Sequence, residues 1–308
     1  MKRLLYVFLS VSLLIILSSC DTTDLVGNNR RELSKEETMF TLGRYPQSLV
    51  KDESVYIDVL KTIDESEWED LTTFAATSYD GEAQYIDIDQ DNDGLRDYRL
   101  VQIIKNKEGY GSVESPYEGY YLFNWEPVKW NIIRREGEID NKKEAYAFSD
   151  IVLDTTFFDT NGKKEYAISD LRKIVVGEMG LQIFTKDELN SLKGNSYEDT
   201  IKNASYDNPS YENDCIQIAN INMTNGHRSS EDGSMYYNGK FYNSKVTDYS
   251  KVMGNWGSDH WTNEINDSGY IVLGRDSILG SGTKDPASYH GVLLVIIVDY
   301  DKYRPEGY

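Results

Sequence analysis

The chain has little from which reactive chemistry could be built. Two cysteines, Cys20 and Cys215, and three histidines, His227, His260 and His290, occur in 308 residues. No two histidines lie three or four residues apart, which excludes a helical zinc pair, and two thiols cannot make a thiolate zinc cluster. There is no Gly-x-Ser-x-Gly elbow and no Gly-x-x-x-x-Gly-Lys loop, so serine-hydrolase and P-loop readings have no support. Positive charge is scarce as well. Thirty-two basic residues face 52 acidic ones, for a formal charge of −20. That excess repels phosphate backbones and excludes nucleic acid as a natural partner. Long apolar runs are also missing. The run from Leu4 to Leu17 stops short of the roughly 20 apolar residues that cross a bilayer.

What is present begins at the N-terminus. Lys2 and Arg3 precede the apolar run, which closes in Leu17-Ser18-Ser19-Cys20. A positive start, a short apolar middle and small residues before a cut mark an export signal. The small pair followed by Cys20 resembles a bacterial lipobox. That resemblance implies a signal peptide over residues 1–19, diacylglycerol on the Cys20 thiol and a fatty acyl group such as palmitate on the new amino terminus. The alternative is an ordinary signal peptide with a chance cysteine. The membrane is thus the first expected partner, reached through acyl chains worth about 0.8 kcal/mol per buried methylene. The expected location is the extracytoplasmic face of the cell membrane. With Cys20 lipidated, Cys215 stands alone and no disulfide forms within the mature chain.

Residues 20–38 read as the lipidated cysteine and a polar tether, and residues 39–308 as one α+β domain. With 39% hydrophobic residues, five Trp and 24 Tyr, that domain can bury a sizeable core. Val55, Ile57, Val59, Leu60 and Ile63 fit one face of a short helix. Strands are expected at Tyr85–Ile88 and Tyr98–Ile103 around a tight polar turn, and at Tyr120–Phe123 and Val128–Ile133 as a further pair, with Pro127 opening the second. A helix is expected from Ile168 to Val176. Thr185-Lys186-Asp187-Glu188 has the form of a capping box that opens a helix through Leu192. Residues 194–213 and 222–245 read as long surface loops. The alternation of Cys215-Ile216-Gln217-Ile218 suggests a strand carrying a buried, inert thiol. Tyr270–Leu273 and Val292–Val298 are strands, the second apolar on both faces and therefore central in its sheet. The fold class is α+β, with a mixed, mostly antiparallel sheet and a few short helices.

Six strings, taken in order, resemble a bacterial domain-of-unknown-function family common in exported proteins and lipoproteins. They are Gly43-Arg44-Tyr45-Pro46-Gln47, Asp87-Ile88-Asp89 leading to Asp97-Tyr98-Arg99, and Trp125-Glu126-Pro127-Val128-Lys129-Trp130. Ser169-Asp170-Leu171-Arg172, Thr247-Asp248-Tyr249-Ser250-Lys251 and Gly291-Val292 complete the set. The resemblance implies no activity, and by analogy the end of the chain is similar in pattern to C-type-lectin-like domains. The chain departs from the family at Lys173-Ile174-Val175-Val176, at His260-Trp261-Thr262-Asn263-Glu264 and in a closing strand without proline.

Two constellations are candidate sites. Asp89, Asp91 and Asp93 alternate before Gly94, with Asp97 following, as in the first half of an EF-hand-type calcium loop. Position twelve is Leu100 rather than a bidentate Glu, so a complete EF-hand is excluded. A shorter calcium loop closed by Asp97 or Asp87 remains, beside the alternative of a hydrophilic hairpin turn. Calcium is the one cofactor the sequence suggests. Tyr237, Tyr242, Trp256 and Trp261 flank Asn-, Asp- and Gly-rich loops and form a candidate aromatic ligand site, against the alternative that they pack those loops. The expected function is a membrane-anchored, non-catalytic module for an unidentified glycan, peptide or protein. The competing reading is an exported carboxylate-dependent hydrolase on glycan or peptide, with acid pairs such as Glu67 and Glu69 or Glu231 and Asp232.

Overall fold

A computed structural model describes residues 39–71, 82–105, 113–133, 144–206, 208, 211, 213–219, 245–254, 260–265, 271–274 and 285–303. Residues 1–38, which hold the expected signal peptide, Cys20 and the expected tether, lie outside these residues. So do Tyr237, Tyr242, Trp256, His227 and residues 222–244 of the expected 222–245 loop.

The architecture is α+β. The first six strands, all in the larger sheet, are β1 (Met39–Leu49), β2 (Glu69–Asp70), β3 (Glu82–Ile88), β4 (Tyr98–Lys105), β5 (Tyr120–Ile133) and β6 (Glu144–Ser149). Two short strands follow, β7 (Ile151–Val152) and β8 (Asp154–Phe157), then β9 (Ile216–Ile218) and β10 (Lys245–Val246). The last four are β11 (His260–Ile265), β12 (Ile271–Gly274), β13 (Tyr289–Val292) and β14 (Leu294–Asp299). The larger sheet runs β2-β3-β4-β5-β6-β14-β9, with β1 also paired to β5, and every pairing in it is antiparallel. A four-stranded sheet runs β12-β11-β13-β8, and β7 pairs with β10 in parallel.

Several strands fall where the residue pattern puts them, and three expectations need correction. The supposed pair at 120–123 and 128–133 is one 14-residue strand, β5. Proline is tolerated because β5 changes partner around it. Its pairing with β4 ends at Asn124 and its pairing with β6 begins at Trp130, so Pro127 owes no amide to either. The apolar run 292–298 is divided at Leu293, Val292 ending β13 in the small sheet while β14 lies between β6 and β9. Both faces of β14 are buried from Leu294 to Val298, as its composition requires. Third, part of the expected 194–213 loop is helix.

The helices owe their starts to caps. Asp52 opens α1 (Glu53–Leu60) by accepting from Ser54 N, and Tyr56 and Val59 form the buried face while Ile57 is exposed. Ser169 caps α2 (Asp170–Lys173), which continues through a π-turn (Ile174–Met179) into α3 (Gly180–Ile183). The expected helix therefore starts two residues later and runs seven residues further. Tyr197 helps hold the π-turn, donating to the Val176 carbonyl at 2.9 Å. Thr185 and Glu188 make both bonds of a capping box at α4 (Lys186–Ser191). Ser196, accepting from Asp199 N, opens α5 (Tyr197–Ser205) inside the supposed loop. That helix buries only Thr200 and Ala204, so apolar periodicity could not reveal it. Thr247 caps α6 (Asp248–Val252), and α7 (Tyr300–Tyr303) stacks Tyr303 on Phe40 at 4.3 Å.

The main core joins Trp125, Val128 and Trp130 of β5 to Leu171, Val175 and Ile183 of the helical segment and to Ile216, Leu294 and Ile296. Each large side chain so buried contributes roughly 1.5–3 kcal/mol. One backbone position is tightly constrained. Gly43 has φ +69, its amide donates to Glu188 Oε1 at 3.1 Å, and an added Cβ would lie 2.7 Å from Ile183. Gly43→Ala is expected to cost about 2 kcal/mol or more through left-handed strain and overlap, measured by urea unfolding. A loss within 0.5 kcal/mol (about the scatter of a neutral surface change) would contradict that reading.

Candidate functional site

Antiparallel register places Asp87 of β3 opposite Arg99 of β4. Arg99 is 1% exposed, and its Nε and Nη2 donate to the two Asp87 carboxylate oxygens at 2.7 and 2.8 Å. This two-pronged bond fits the planar guanidinium and is stronger than a neutral hydrogen bond. Nη1 donates to Gln182 Oε1 at 3.0 Å and to the Tyr249 hydroxyl at 3.2 Å. The guanidinium carbon lies 4.3 Å from the Tyr85 ring centroid and 5.2 Å from that of Trp125. Burial works against the charge on Arg99, but Tyr249 and Asp87 outweigh it and hold its pKa well above the ordinary value. Asp87 also makes an ion pair with Arg96 Nε at 3.2 Å and accepts from Trp125 Nε1 at 3.3 Å.

A second buried bond adjoins the first. The Tyr45 hydroxyl of β1 donates to Asp154 Oδ2 of β8, and Thr155 N donates to Asp154 Oδ1 at 2.7 Å. Tyr249 meets the Tyr45 ring edge-on at 5.7 Å and the Phe123 ring at 5.1 Å. Burial raises the pKa of Tyr45, Tyr249 and Asp154. Strings scattered over two hundred residues therefore converge here. Tyr45, Asp87 with Arg99, Trp125 and Tyr249 each come from a different one, and Gly291 and Val292 pair with Thr155 and Asp154. The Ser169–Arg172 string supplies a separate buried ion pair, Arg172 to Asp214 at 2.8 Å, both side chains 0% exposed. Arg99, Tyr45, Tyr249 and Asp154 are buried, Asp87 is partly exposed, and the bonds among them tie β1, β3, β4, β8 and α6 together. Nothing in the sequence alone marks these strings as one site. Hairpin register would have paired Asp87 with Arg99, whereas Asp154 carried no signal.

The acidic hairpin lies between β3 and β4. One carboxylate oxygen from each of Asp89, Asp91 and Asp97 lies within 4.8 Å of the others. Asp93 stands outside this group, its Oδ1 accepting from Leu95 N at 2.8 Å. The loop is held by its own carboxylates: Asp89 accepts from Asp93 N and Gly94 N, and Asp97 from Gln90 N. Asn92 and Gly94 take positive φ at the tip. A carboxylate has about four lone-pair sites, so these bonds leave room for a cation. Asp87 does not close the loop, because Arg99 and Arg96 occupy its oxygens. Leu100, at the twelfth position, is in the core.

Other candidates resolve as structure. Trp261 is no surface platform. It is 0% exposed, and its indole N–H donates to the Thr156 carbonyl at 2.7 Å. His290 packs edge-on against Trp261 at 4.7 Å, and His260 is buried in β11. Of the acid pairs, Glu69 accepts from the Tyr85 hydroxyl at 2.5 Å, while Glu231 and Asp232 lie outside the described residues. Cys215 is buried, and desolvation pushes its thiol up to about 11.

Arg99→Ala is expected to cost about 3 kcal/mol or more by urea unfolding, since it strips a buried pair of its cation. Arg96→Ala, at a half-exposed guanidinium, should cost under about 1 kcal/mol. Equal losses would show that the buried cluster is not the stronger tie. At pH 8 only about one Cys215 thiol in a thousand would be ionised even with access, so disulfide reagents should label it only on unfolding. Rapid labelling of the native chain would contradict its burial. No family model, curated protein or solved structure matches the chain.

Proposed function

We propose that this chain is a bacterial surface lipoprotein, held at the extracytoplasmic face of the cell membrane through Cys20. Its folded body is a non-catalytic binding or interaction module of the exported domain family whose strings it carries. The observation that carries the location is the order Lys2-Arg3, apolar run, Ser18-Ser19-Cys20. The non-catalytic reading is supported by the way the strongest polar chemistry among the described residues is spent. Arg99, Tyr45, Tyr249 and Asp154 face one another inside the protein rather than a substrate. The ligand class is an extracytoplasmic glycan, peptide or protein, and the three-carboxylate hairpin is the calcium-responsive part of the module.

Metabolic labelling with palmitate in a bacterial host should mark the chain, and Cys20→Ala should lose both the label and retention in the membrane fraction. An unlabelled wild-type product would overturn the anchor. Calcium is tested separately by thermal unfolding. At tenfold excess over its dissociation constant the ion should add about 1.4 kcal/mol, a rise of a few degrees. Asp89→Asn with Asp91→Asn should remove that rise, and no rise at millimolar calcium would reduce the hairpin to a hydrogen-bonded turn.

A further inference from the structure

Among the described residues, Asp154 is the one member of the buried cluster whose charge no cation directly answers. The donors of Arg99 are committed to Asp87, Gln182 and Tyr249, and none reaches Asp154. Among the described residues the carboxyl, 5% exposed, accepts only from neutral donors, the Tyr45 hydroxyl and the Thr155 amide. Among the described residues it has no ion pair. A buried carboxylate without a cationic partner favours taking up a proton. Its position matters, because Tyr45 belongs to β1 of the larger sheet and Asp154 to β8 of the smaller one. Beside this bond, Thr155 Oγ1 lies 2.7 Å from Ser250 Oγ of α6, so three elements meet at one carboxyl.

We propose that this joint is a proton-dependent latch, in which Asp154 is carried neutral between the two sheets and its ionisation loosens them. The titratable groups around it are Tyr45 from β1, Arg99 from β4, Asp87 from β3 beyond Arg99, Tyr249 from α6 and Glu178 from the π-turn. Tyr45 and Tyr249 stay neutral through the physiological range, since burial raises both. Arg99 is the only cation in this set, and it opposes the shift without cancelling it. The sign follows from linkage. Burial raises the folded pKa of Asp154, so the folded state binds more protons than the unfolded state above the ordinary carboxylate range. The contribution is full below about pH 4 and is lost as pH rises through the folded value.

The test compares thermal unfolding of the full chain and of Asp154→Asn, in detergent, from pH 4 to pH 8. The wild-type melting temperature minus that of the variant should fall by several degrees as pH rises. A difference that is flat, or that widens with pH, overturns the latch. If Asp154→Asn does not fold, infrared titration of the wild type decides. One carboxylic-acid carbonyl band should persist to higher pH than the bands of the exposed acids, and Tyr45→Phe should shift its frequency. Loss of every such band together with the exposed carboxyls overturns the proposal.

Discussion

A guanidinium removed from water must be answered on every side, and Arg99 organises the centre of this protein for that reason. Its charge needs a carboxylate in register on β3, a hydroxyl from α6, an amide from α3 and aromatic faces above it. Each requirement fixes a different element. The cost of burying the ion is of order several kcal/mol, so removing any of these neighbours leaves an expensive remainder. Hydrophobic burial drives the collapse, and the arginine dictates which collapsed arrangement is acceptable.

The two sheets divide the work. The larger one holds most of the apolar layer and is antiparallel throughout, which lets short turns connect β3 to β4 and leaves an acidic tip outside the core. The smaller one closes around Trp261 and Phe158, whose rings meet edge-on at 5.4 Å. Motifs far apart along the chain meet where the sheets and the helical segment touch. Their convergence there follows from packing and from the buried bonds they make.

Legibility followed the physics of each signal. The capping box at Thr185 and Glu188 was readable because both partners lie within four residues and the chemistry is local. The β3–β4 hairpin was readable because alternation and a polar turn coincide. The α5 helix was hidden, since its buried face is Thr200 and Ala204 and its other residues resemble a loop. Pro127 misled because a proline inside a strand is normally a boundary, and only the exchange of partners along β5 makes it harmless. Asp154 gave no sign at all, because its role arises from a contact 109 residues away. The aromatic residues near the end divided likewise, Trp261 being interior although its surroundings in sequence are polar.

The π-turn at Ile174–Met179 sets the angular phase of everything after it. A wide turn accommodates an extra residue within one helical circuit. If the same residues wound as regular α-helix, with no wide turn to absorb the extra one, α3 would be carried about 100° further round its axis. Gln182 would then face away from the guanidinium it now serves, although neither residue had changed. The winding of this short stretch is thus as much a part of the interior's specification as the identity of any side chain.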